Sequence, residues 1–329
     1  MLKPTITDIA KALGVTPSTV SRALAGNPRV KPETRKAIEQ KAAELGYERN
    51  IMAANLRKGT ASVVGIIVPR INREFFANVI SSAESVLNAA GYSTIICQSN
   101  ESFAREVESI QNLARNQVAA VMISHAIDAV CSDRVREAAG RTRIIQFDRI
   151  LDDLPGPKVI TDDTGGAFEA TSHLIEQGYK KIGTLAGYMN SSVYRGRLEG
   201  YRRALSEHGI PYDESIVFPD TILRETGYEA GRKAISAGCD ALYCAGDYCA
   251  LGAMDAVKEA GISIPDSFGI VGTANEIFTS LTSPTISSIS QSPDEIGRRI
   301  AEAFLDGIDK DVTDIVPMKL IVRESSSRK

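Results

Sequence analysis

The sequence predicts two different parts: an all-α head of helix-turn-helix type followed by a hinge helix, and an α/β body of two lobes with parallel, doubly wound sheets. Three observations predict this. The first 45 or so residues contain three short helical patterns, and from Val63 short apolar strands alternate with helices. Residues 1–60 hold eleven Lys and Arg against five Asp and Glu, a net charge of +6, whereas the whole chain carries −3.

The head begins with two short helices joined by a tight turn. The segment Thr7–Leu13 carries apolar residues at the spacing of one buried helix face, and Gly14 ends it. Thr16 is suited to cap a second helix, and Pro17 fits its first turn, where a missing N–H costs nothing. Two short helices joined in this way form a helix-turn-helix.

The second helix has one apolar and one polar face. The apolar face carries Val20, Ala23 and Leu24, and the polar face carries Ser18, Ser21 and Arg22. Short hydroxyls and a guanidinium are the groups that read base edges in a DNA major groove. The alternative is a plain helical hairpin inside a larger core, and the basic flanks favour DNA over it.

A third helix and a hinge complete the amino-terminal part. Pro32 begins the third helix and Gly46 ends it. Residues 50–59 predict a helix of two turns, which is too short to persist in water and needs a partner to order it. Leu56 is then either a wedge between DNA base steps or a side chain packed on the body, and composition alone leaves both open.

The body contains two series of alternating strands and helices. The predicted strands are 63–68, 94–97, 119–124, 144–147, 182–187, 215–218, 241–245, 269–273, 286–290 and 315–322. We expect a head at 1–49, a hinge and linker at 50–62, and a body at 63–322 in which lobe 1 is about 63–160 plus 292–322, lobe 2 is about 161–291, and 323–329 is a loose tail. Two such lobes enclose a cleft at the carboxyl ends of their strands, where small ligands bind.

Several classes of protein are disfavoured by what the sequence lacks. No Gly-x-Gly-x-x-Gly follows a strand, and the five cysteines have no zinc spacing, so we expect neither cofactor nor metal. The three histidines are scattered, and Asp162-Asp163 is interpreted as a solvated crossover, which disfavours an enzyme. No apolar run has membrane length and no signal-peptide core is present, so we expect a cytoplasmic, nucleoid-associated protein.

Motifs along nearly the whole chain carry a resemblance. They are Thr7-Asp8-Ile9-Ala10, Val15–Arg22, Pro32-Glu33-Thr34-Arg35, Leu45-Gly46-Tyr47, Phe147-Asp148-Arg149, Arg197–Tyr201 and Asp247–Ala253. With these motifs the chain resembles the lactose-repressor (LacI/GalR) family of bacterial transcription regulators. The resemblance implies a periplasmic-binding-protein-like effector domain, a hinge helix that folds on DNA, and a homodimer that reads a near-palindromic operator.

The resemblance also implies site residues in the head. By position, the residues that read bases are Thr16, Pro17, Ser18 and Arg22. The phosphate contacts are Thr7, Ser21 and Asn27. In the hinge, Leu56 is the minor-groove wedge, with Asn50, Ala53 and Arg57 beside it. Lys31 departs from the family by standing where a Ser or Thr usually caps the third helix.

In the body, the resemblance implies a small effector, usually a sugar or nucleobase, bound between the lobes. The matching positions are Phe75, Asp148, Arg197 and Asp247. Ala274 stands where the family often has a sugar-binding Asp, so Asn275 or Glu276 is expected to replace it.

Five arginines near the cleft mouth suit a carboxylate or phosphate, and they suggest a sugar acid or sugar phosphate as effector. They are Arg70, Arg73, Arg149, Arg195 and Arg197. The alternative is that Arg149 and Arg195 pair with Asp148 and neighbouring acids, or face solvent.

The sequence thus predicts a transcriptional regulator, specifically a repressor, controlled by a carbohydrate-derived effector. The alternatives are a cytoplasmic sugar-binding or sugar-processing protein and the solute-binding protein of a transporter. The basic head disfavours the second alternative, and a lack of turnover together with a shift of an operator fragment would separate regulator from enzyme.

Overall fold

The structure is a computed structural model that describes residues 4–24, 26–47 and 62–328. The chain separates into two compact units, Met1–Ala61 and Ser62–Lys329, which contain the predicted head and body respectively. No helix of the described residues is both long enough and apolar enough to cross a membrane.

The head folds as three helices: α1 (Ile6–Leu13), α2 (Pro17–Leu24) and α3 (Pro32–Glu44). Thr5 and Asp8 form a reciprocal capping box at the start of α1, and Gly14 ends that helix with a φ of 64°. Ile9, Val20 and Ile38, one from each helix, are fully buried and form the centre of a small core.

Lobe 1 is built on a six-stranded parallel sheet with the strand order β11-β5-β4-β3-β1-β2. Its elements are β1 (Val63–Val68), α4 (Glu74–Ala89), β2 (Ser93–Gln98), α5 (Phe103–Arg115), β3 (Ala120–Ile123), α6 (Ser132–Ala139), β4 (Arg143–Phe147), β5 (Lys158–Thr161), α11 (Pro293–Leu305) and β11 (Thr313–Val316). Helices α4 and α11 cover one face of this sheet, and α5 and α6 cover the other. The predicted doubly wound architecture is confirmed for this lobe.

Lobe 2 has a second six-stranded sheet with the order β12-β10-β9-β8-β6-β7. Its elements are α7 (Asp163–Glu176), β6 (Ile182–Gly187), α8 (Ser192–Glu207), β7 (Val217–Pro219), α9 (Arg224–Ser236), β8 (Ala241–Cys244), α10 (Asp247–Glu259), β9 (Gly269–Thr273), β10 (Ser287–Ser290) and β12 (Lys319–Ile321). Pairing within it is parallel except between β10 and β12. Helices α9 and α10 pack on one face and α7 and α8 on the other.

The prediction of one last strand over 315–322 is wrong. The structure has two short strands there, β11 in lobe 1 and β12 in lobe 2. Pro317 lies between them and has no N–H to donate to a sheet, so the chain leaves the first sheet and pairs antiparallel with β10. Residues 319–322 therefore belong to lobe 2, and the chain crosses between the lobes three times.

The prediction of a loose tail over 323–329 is also wrong for its described part. Ser325 and Ser326 are fully buried. The Ser325 hydroxyl accepts a hydrogen bond from Ser287 N at 2.8 Å and donates one to Ile270 O at 2.6 Å. The three serines and their polar neighbours suggested that this segment is exposed to solvent. The Ser325 hydroxyl instead satisfies backbone groups at the end of the second sheet.

Candidate functional site

The polar face of α2 is exposed, as predicted. Val20 and Ala23 are buried in the head core, whereas Ser18 and Arg22 are exposed and Ser21 is half-buried. Thr16, Pro17 and Thr7 are exposed as well. The arrangement leaves short hydroxyls and one long guanidinium free to meet a ligand outside the head.

Local hydrogen bonds fix the two turns that flank α2. The Thr16 hydroxyl accepts a hydrogen bond from Thr19 N at 3.3 Å, which confirms Thr16 as the cap, and it shares a hydrogen bond with Ser18 Oγ at 2.9 Å. After α2, Arg35 donates to the Asn27 carbonyl at 2.9 Å, and Arg29 N donates to Asn27 Oδ1 at 3.0 Å. The polar face is therefore held on a rigid support. The hinge residues Asn50, Ala53, Leu56 and Arg57 lie outside the described residues.

A cavity of about 240 Å³ lies between the two lobes of the body. Six of the seven predicted effector-binding residues line it: Arg70, Phe75, Asp148, Arg149, Arg197 and Asp247. They come from segments that follow the carboxyl ends of β1, β4 and β8 and from the side of α8, so the fold brings distant parts of the sequence together. The volume is somewhat below that of typical ligand pockets, which span roughly 300–1,000 Å³.

Asn275 is not among the residues that line this cavity. Its side-chain oxygen accepts a hydrogen bond from Arg323 at 2.7 Å, and its N–H donates to Ser288 Oγ at 3.0 Å. The backbone turns sharply at this point, because Ala274 has a φ of 121° and Asn275 a φ of 56°. This turn brings Ala274 and Glu276 to the cavity in place of Asn275.

Arg197 is held at the cavity wall by a buried ion pair that the sequence did not predict. Its Nε donates to Asp163 Oδ1 at 2.8 Å, and its Nη1 donates to the Ala245 carbonyl at 2.7 Å. Thr161 donates to the other Asp163 oxygen at 2.9 Å. The interpretation of Asp163 as a solvated crossover residue is therefore wrong, because the crossover to lobe 2 runs beneath Arg197.

Asp148 and Arg149 follow β4 and use their side chains differently. Asp148 has a φ of 57°, a conformation that non-glycine residues seldom adopt, and its carboxylate accepts from Ser124 Oγ at 2.9 Å. Burial raises the pKa of Asp148, and the charge of Arg149 offsets this only partly. The Arg149 guanidinium donates to Glu101 at 2.7 Å, so a carboxylate already neutralises this cation.

Asp247 begins α10 with a fully buried carboxylate. It accepts hydrogen bonds from Ser288 Oγ at 2.6 Å and from Glu276 N at 2.8 Å. Gly272 leaves room for it, since a Cβ there would lie 2.1 Å from Asp247 Oδ1. Burial raises the pKa of Asp247 to about 7, and the two donors limit the rise. Burial also raises the pKa of Glu276, and the charge of Glu74 adds to this.

Two contacts near the cavity join the lobes directly. The Glu74 carboxylate accepts a hydrogen bond from Ile277 N at 2.6 Å. The guanidinium of Arg73 lies 3.9 Å from the centre of the Tyr248 ring. Both contacts connect the start of α4 in lobe 1 to lobe 2, so the separation of the lobes is coupled to residues at the cavity mouth.

Sequence reasoning missed several lining residues. Glu101, Tyr188, Tyr194, Tyr248 and Gln291 line the cavity without having been predicted. Tyr194 stands three residues before Arg197 on α8, a spacing that places both on one helix face and could have identified it. Glu101 follows the carboxyl end of β2, where a ligand-facing side chain is expected in this architecture.

The three histidines have local partners. His125 Nδ1 lies 2.6 Å from Glu106 and its Nε2 lies 3.1 Å from Gln146, all within lobe 1. His173 contacts Ser326, and His208 contacts its own helix. Within the described residues, no group of three or more His, Cys, Asp or Glu is arranged to hold a metal ion.

Two family models match the chain. The model for bacterial regulatory proteins of the lacI family matches residues 5–50, and the model for a periplasmic binding protein-like domain matches residues 171–326. The first match covers the helix-turn-helix, and the second covers most of lobe 2 with its final strand.

Known proteins resemble the chain over its full length. The HTH-type transcriptional regulator DegA of Bacillus subtilis (strain 168) is 29% identical over 335 aligned positions, which cover 99% of both chains. The lac repressor dimer bound to operator and the anti-inducer ONPF superposes with a TM-score of 0.88 at 22% identity, covering 99% of this chain and 100% of that one. The complex of the transcriptional regulator CelR with cellobiose has a TM-score of 0.73 at 26% identity, covering 98% and 99%.

These matches agree with the fold on the order of parts: a helix-turn-helix head first, then two α/β lobes around a cavity. The relatives are transcription regulators. The chain carries a helix-turn-helix domain of the lacI family of bacterial regulatory proteins and a periplasmic binding protein-like domain.

Proposed function

We propose that the protein is a transcriptional repressor whose hold on DNA is set by a small carbohydrate-derived molecule bound between the lobes of its body. The observation that carries the proposal is the exposed face of α2, where Ser18 and Arg22 project from a well-packed head. The charge of +6 on residues 1–60 supplies the attraction for a polyanion.

The head residues divide into two roles. Thr16, Pro17, Ser18 and Arg22 read base edges in the major groove, with Arg22 suited to guanine. Thr7, Ser21 and Asn27 contact phosphates and set the register of the head on the duplex. The rigid turns around Thr16 and Asn27 support this division, because base reading needs side chains held in a fixed position.

The hinge completes DNA recognition. Leu56 is proposed to insert between base steps in the minor groove, with Asn50, Ala53 and Arg57 beside it. A two-turn helix gains stability only when a partner orders it, so the hinge links DNA binding to the state of the body. A homodimer presents two heads and two hinges to a near-palindromic operator, as the solved lac repressor does as a dimer on its operator.

The effector is a compact, hydroxyl-rich molecule. Asp148, Asp247 and Arg197 offer polar groups to hydroxyls, while Phe75 and Tyr248 offer apolar surface to a sugar ring. The small volume favours a monosaccharide derivative, although the related regulator CelR was solved with cellobiose. Arg70 and Arg149 complete the proposed effector-binding set, from which Asn275 is absent because its side chain bonds to Arg323.

Control of DNA binding follows from the crossings between the lobes. A ligand that contacts both lobes binds more tightly at one separation of the lobes than at another. It stabilises the preferred separation by the difference between its two binding free energies. The hydrogen bond from Ile277 N to Glu74 spans the two lobes, and we propose that it breaks when they separate. We propose that the lobe movement alters the spacing of the two hinges in the dimer. The protein is therefore a cytoplasmic, nucleoid-associated regulator and performs no catalysis.

The experiment is a selection of bound fragments from random DNA by the purified chain, with and without candidate sugars. We expect enrichment of a near-palindromic sequence and a change in its retention with at least one sugar. An Arg22→Ala variant serves as the control, since it should lose one base preference while keeping its fold. Enrichment of no sequence under any condition would contradict the proposal.

A further inference from the structure

We propose that the effector carries a phosphate or carboxylate group and that Arg70 and Arg73 bind this anion at the lobe 1 end of the interlobe cavity. The inference rests on the proposed function, because it concerns the chemistry of the same ligand. It narrows the class of effector from any sugar to a sugar phosphate or a sugar acid.

The structure separates the five arginines near the cleft by their partners. Arg149 is bonded to Glu101, and Arg197 is bonded to Asp163 and to a carbonyl. Arg195 lies outside the lining of this cavity and donates to the carbonyls of Met189 and Asn190. In each of these three arginines, part of the guanidinium already bonds to an acceptor of the protein itself.

Arg70 and Arg73 differ from the other three. The Nε of Arg70 lies 3.9 Å from Glu101, beyond hydrogen-bond distance, and its side chain is 44% exposed. The guanidinium carbon of Arg73 lies 3.9 Å from the centre of the Tyr248 ring, a cation–π contact that takes up none of its N–H donors in a hydrogen bond. Across residues 62–328, neither side chain donates a hydrogen bond to a protein acceptor, and both line the cavity.

The carboxylates near this pair are shared with other groups or accept no hydrogen bond from it. Glu101 lies 3.9 Å from Arg70 but accepts its hydrogen bonds from Arg149 and from Ile127 N. The charge of Arg73 acts on Glu276 without a hydrogen bond between the two side chains. Burial raises the pKa of Asp148, Asp247 and Glu276, which also line the cavity.

Arg70 and Arg73 thus present N–H donors to the cavity, and carboxyl groups of both lobes, among them Asp148 and Asp247, present acceptors for hydroxyls. A sugar with an anionic substituent satisfies both sets of groups at once. A neutral sugar would leave the N–H donors of the two guanidiniums without a charged acceptor, which is unfavourable. Two planar donors suit the paired oxygens of a carboxylate or phosphate.

The test uses the full-length chain with four probes: inorganic phosphate, glucose, glucuronate and glucose 6-phosphate. Binding is followed by thermal shift and calorimetry against sodium chloride of equal ionic strength. Arg70→Gln and Arg73→Gln are the test variants, and Arg105→Gln, an exposed arginine on α5 of the same lobe, is the matched control.

We expect the anionic probes to stabilise the wild-type body. Either test variant should weaken this binding about ten- to a hundredfold, as the loss of a charged hydrogen bond does, and the control should leave it unchanged. The basic head can also bind anions, so phosphate binding by the wild type is not sufficient evidence. The decisive result is weaker anion binding in the two test variants than in the wild type. Stabilisation that is equal in all four proteins, or absent from all, would overturn the inference.

Retention of an operator fragment, measured in parallel, separates the two proposals. If a neutral sugar binds equally well to wild type and both test variants and also shifts the operator fragment, the anion assignment fails and the regulator proposal stands. If anions bind through Arg70 and Arg73 but no duplex is ever preferred, the regulator proposal fails instead.

Discussion

Asp247 illustrates how one residue links the fold to the ligand. Its buried carboxylate accepts hydrogen bonds from Ser288 and from the Glu276 backbone, and the absence of a side chain at Gly272 leaves room for it. The residue also lines the interlobe cavity. The same burial that makes it a strong acceptor for a ligand hydroxyl raises its pKa to about 7.

We predict that the stability of the body falls as the pH rises from about 4 to about 7. The pKa of Asp247 is about 7 in the folded state against 3.8 as the ordinary value, so the folded chain keeps a proton that the unfolded chain releases. The stabilisation that this proton gives the folded body is fully present below pH 3.8, the pKa of Asp247 in the unfolded chain, and is lost as the pH rises through about 7, its pKa in the folded chain. The stabilisation lost amounts to roughly 4 kcal/mol.

Urea unfolding at pH 5 and pH 8 measures this loss. Asp247→Asn should flatten the difference between the two pH values, because the titrating group is gone. Glu229→Gln, an exposed position on α9, is the matched control and should keep the wild-type difference. An unchanged pH dependence in Asp247→Asn would show that another group is responsible.

Arg22 carries the prediction for base reading. Arg22→Ala should cost about 1–3 kcal/mol on the selected operator and relax the preference at one base position, because a bidentate contact is lost. Quantitative binding to single-base variants of the operator measures this. Lys11→Ala, the control, also removes one positive charge, from α1, and it should lower the affinity for all DNA sequences alike. If Arg22→Ala lowers the affinity for all sequences equally as well, Arg22 does not read a base.

At the residue level, the sequence predicted the cavity best where a motif fixed the position. Arg197 and Asp148 were named correctly as lining residues. Asn275 was not, because the positive φ values of Ala274 and Asn275 turn its side chain away. The sign of φ at a non-glycine residue is imposed by tertiary contacts, so it cannot be deduced from the residue type.

The carboxyl-terminal segment, residues 323–328, is a structural element of lobe 2. Ser325 joins the N–H of Ser287 to the carbonyl of Ile270, and Arg323 contacts Asn275 and Ile286. This segment holds the loop that brings Glu276 to the cavity. It therefore contributes to the site although it touches no part of the cavity lining.

We predict that Ser325→Ala destabilises the body by about 1–3 kcal/mol, because it leaves a buried N–H and a buried carbonyl without partners. Chemical denaturation of the full chain measures the change. Ser327→Ala, an exposed position two residues further on, should have no measurable effect. If the two variants are equally stable, a water molecule takes over the hydrogen bonds that the Ser325 hydroxyl makes to Ser287 N and to the Ile270 carbonyl.

The hinge helix carries a separate prediction. Leu56→Ala should reduce operator bending and operator affinity while leaving effector binding unchanged, because the wedge acts only on DNA. Bending is measured by fluorescence transfer between the ends of a labelled operator. A bend equal to that of wild type would rule out intercalation by the hinge.

Among the elements, alternation of apolar strands and helices predicted most of both sheets. It missed β5, which directly follows Pro155-Gly156-Pro157, and it merged β11 with β12 across Pro317. Strands of three or four residues show too little periodicity to fix where one ends and the next begins, and the change of sheet at Pro317 depends on which edge is free to pair. The strand β11 pairs with β5, which lies far away in sequence.

At the scale of the whole molecule, the proposed function requires the operator and the effector to be coupled through the body. If the effector changes operator affinity by some factor, the operator must change effector affinity by the same factor. We predict that calorimetric titration of the effector into the free protein and into the operator complex gives affinities in that ratio. Affinities that are equal in the two titrations, while the effector still shifts operator binding, would contradict a two-state body.

The central claim is that the head recognises a specific duplex and that the cavity ligand sets how firmly it does so. The most direct measurement is competition binding of a selected operator against bulk DNA at physiological salt, with and without the ligand. We predict a preference for the operator of about a thousandfold or more, and a change in that preference when the ligand is added. A chain that binds every duplex equally, with or without ligand, would contradict the account.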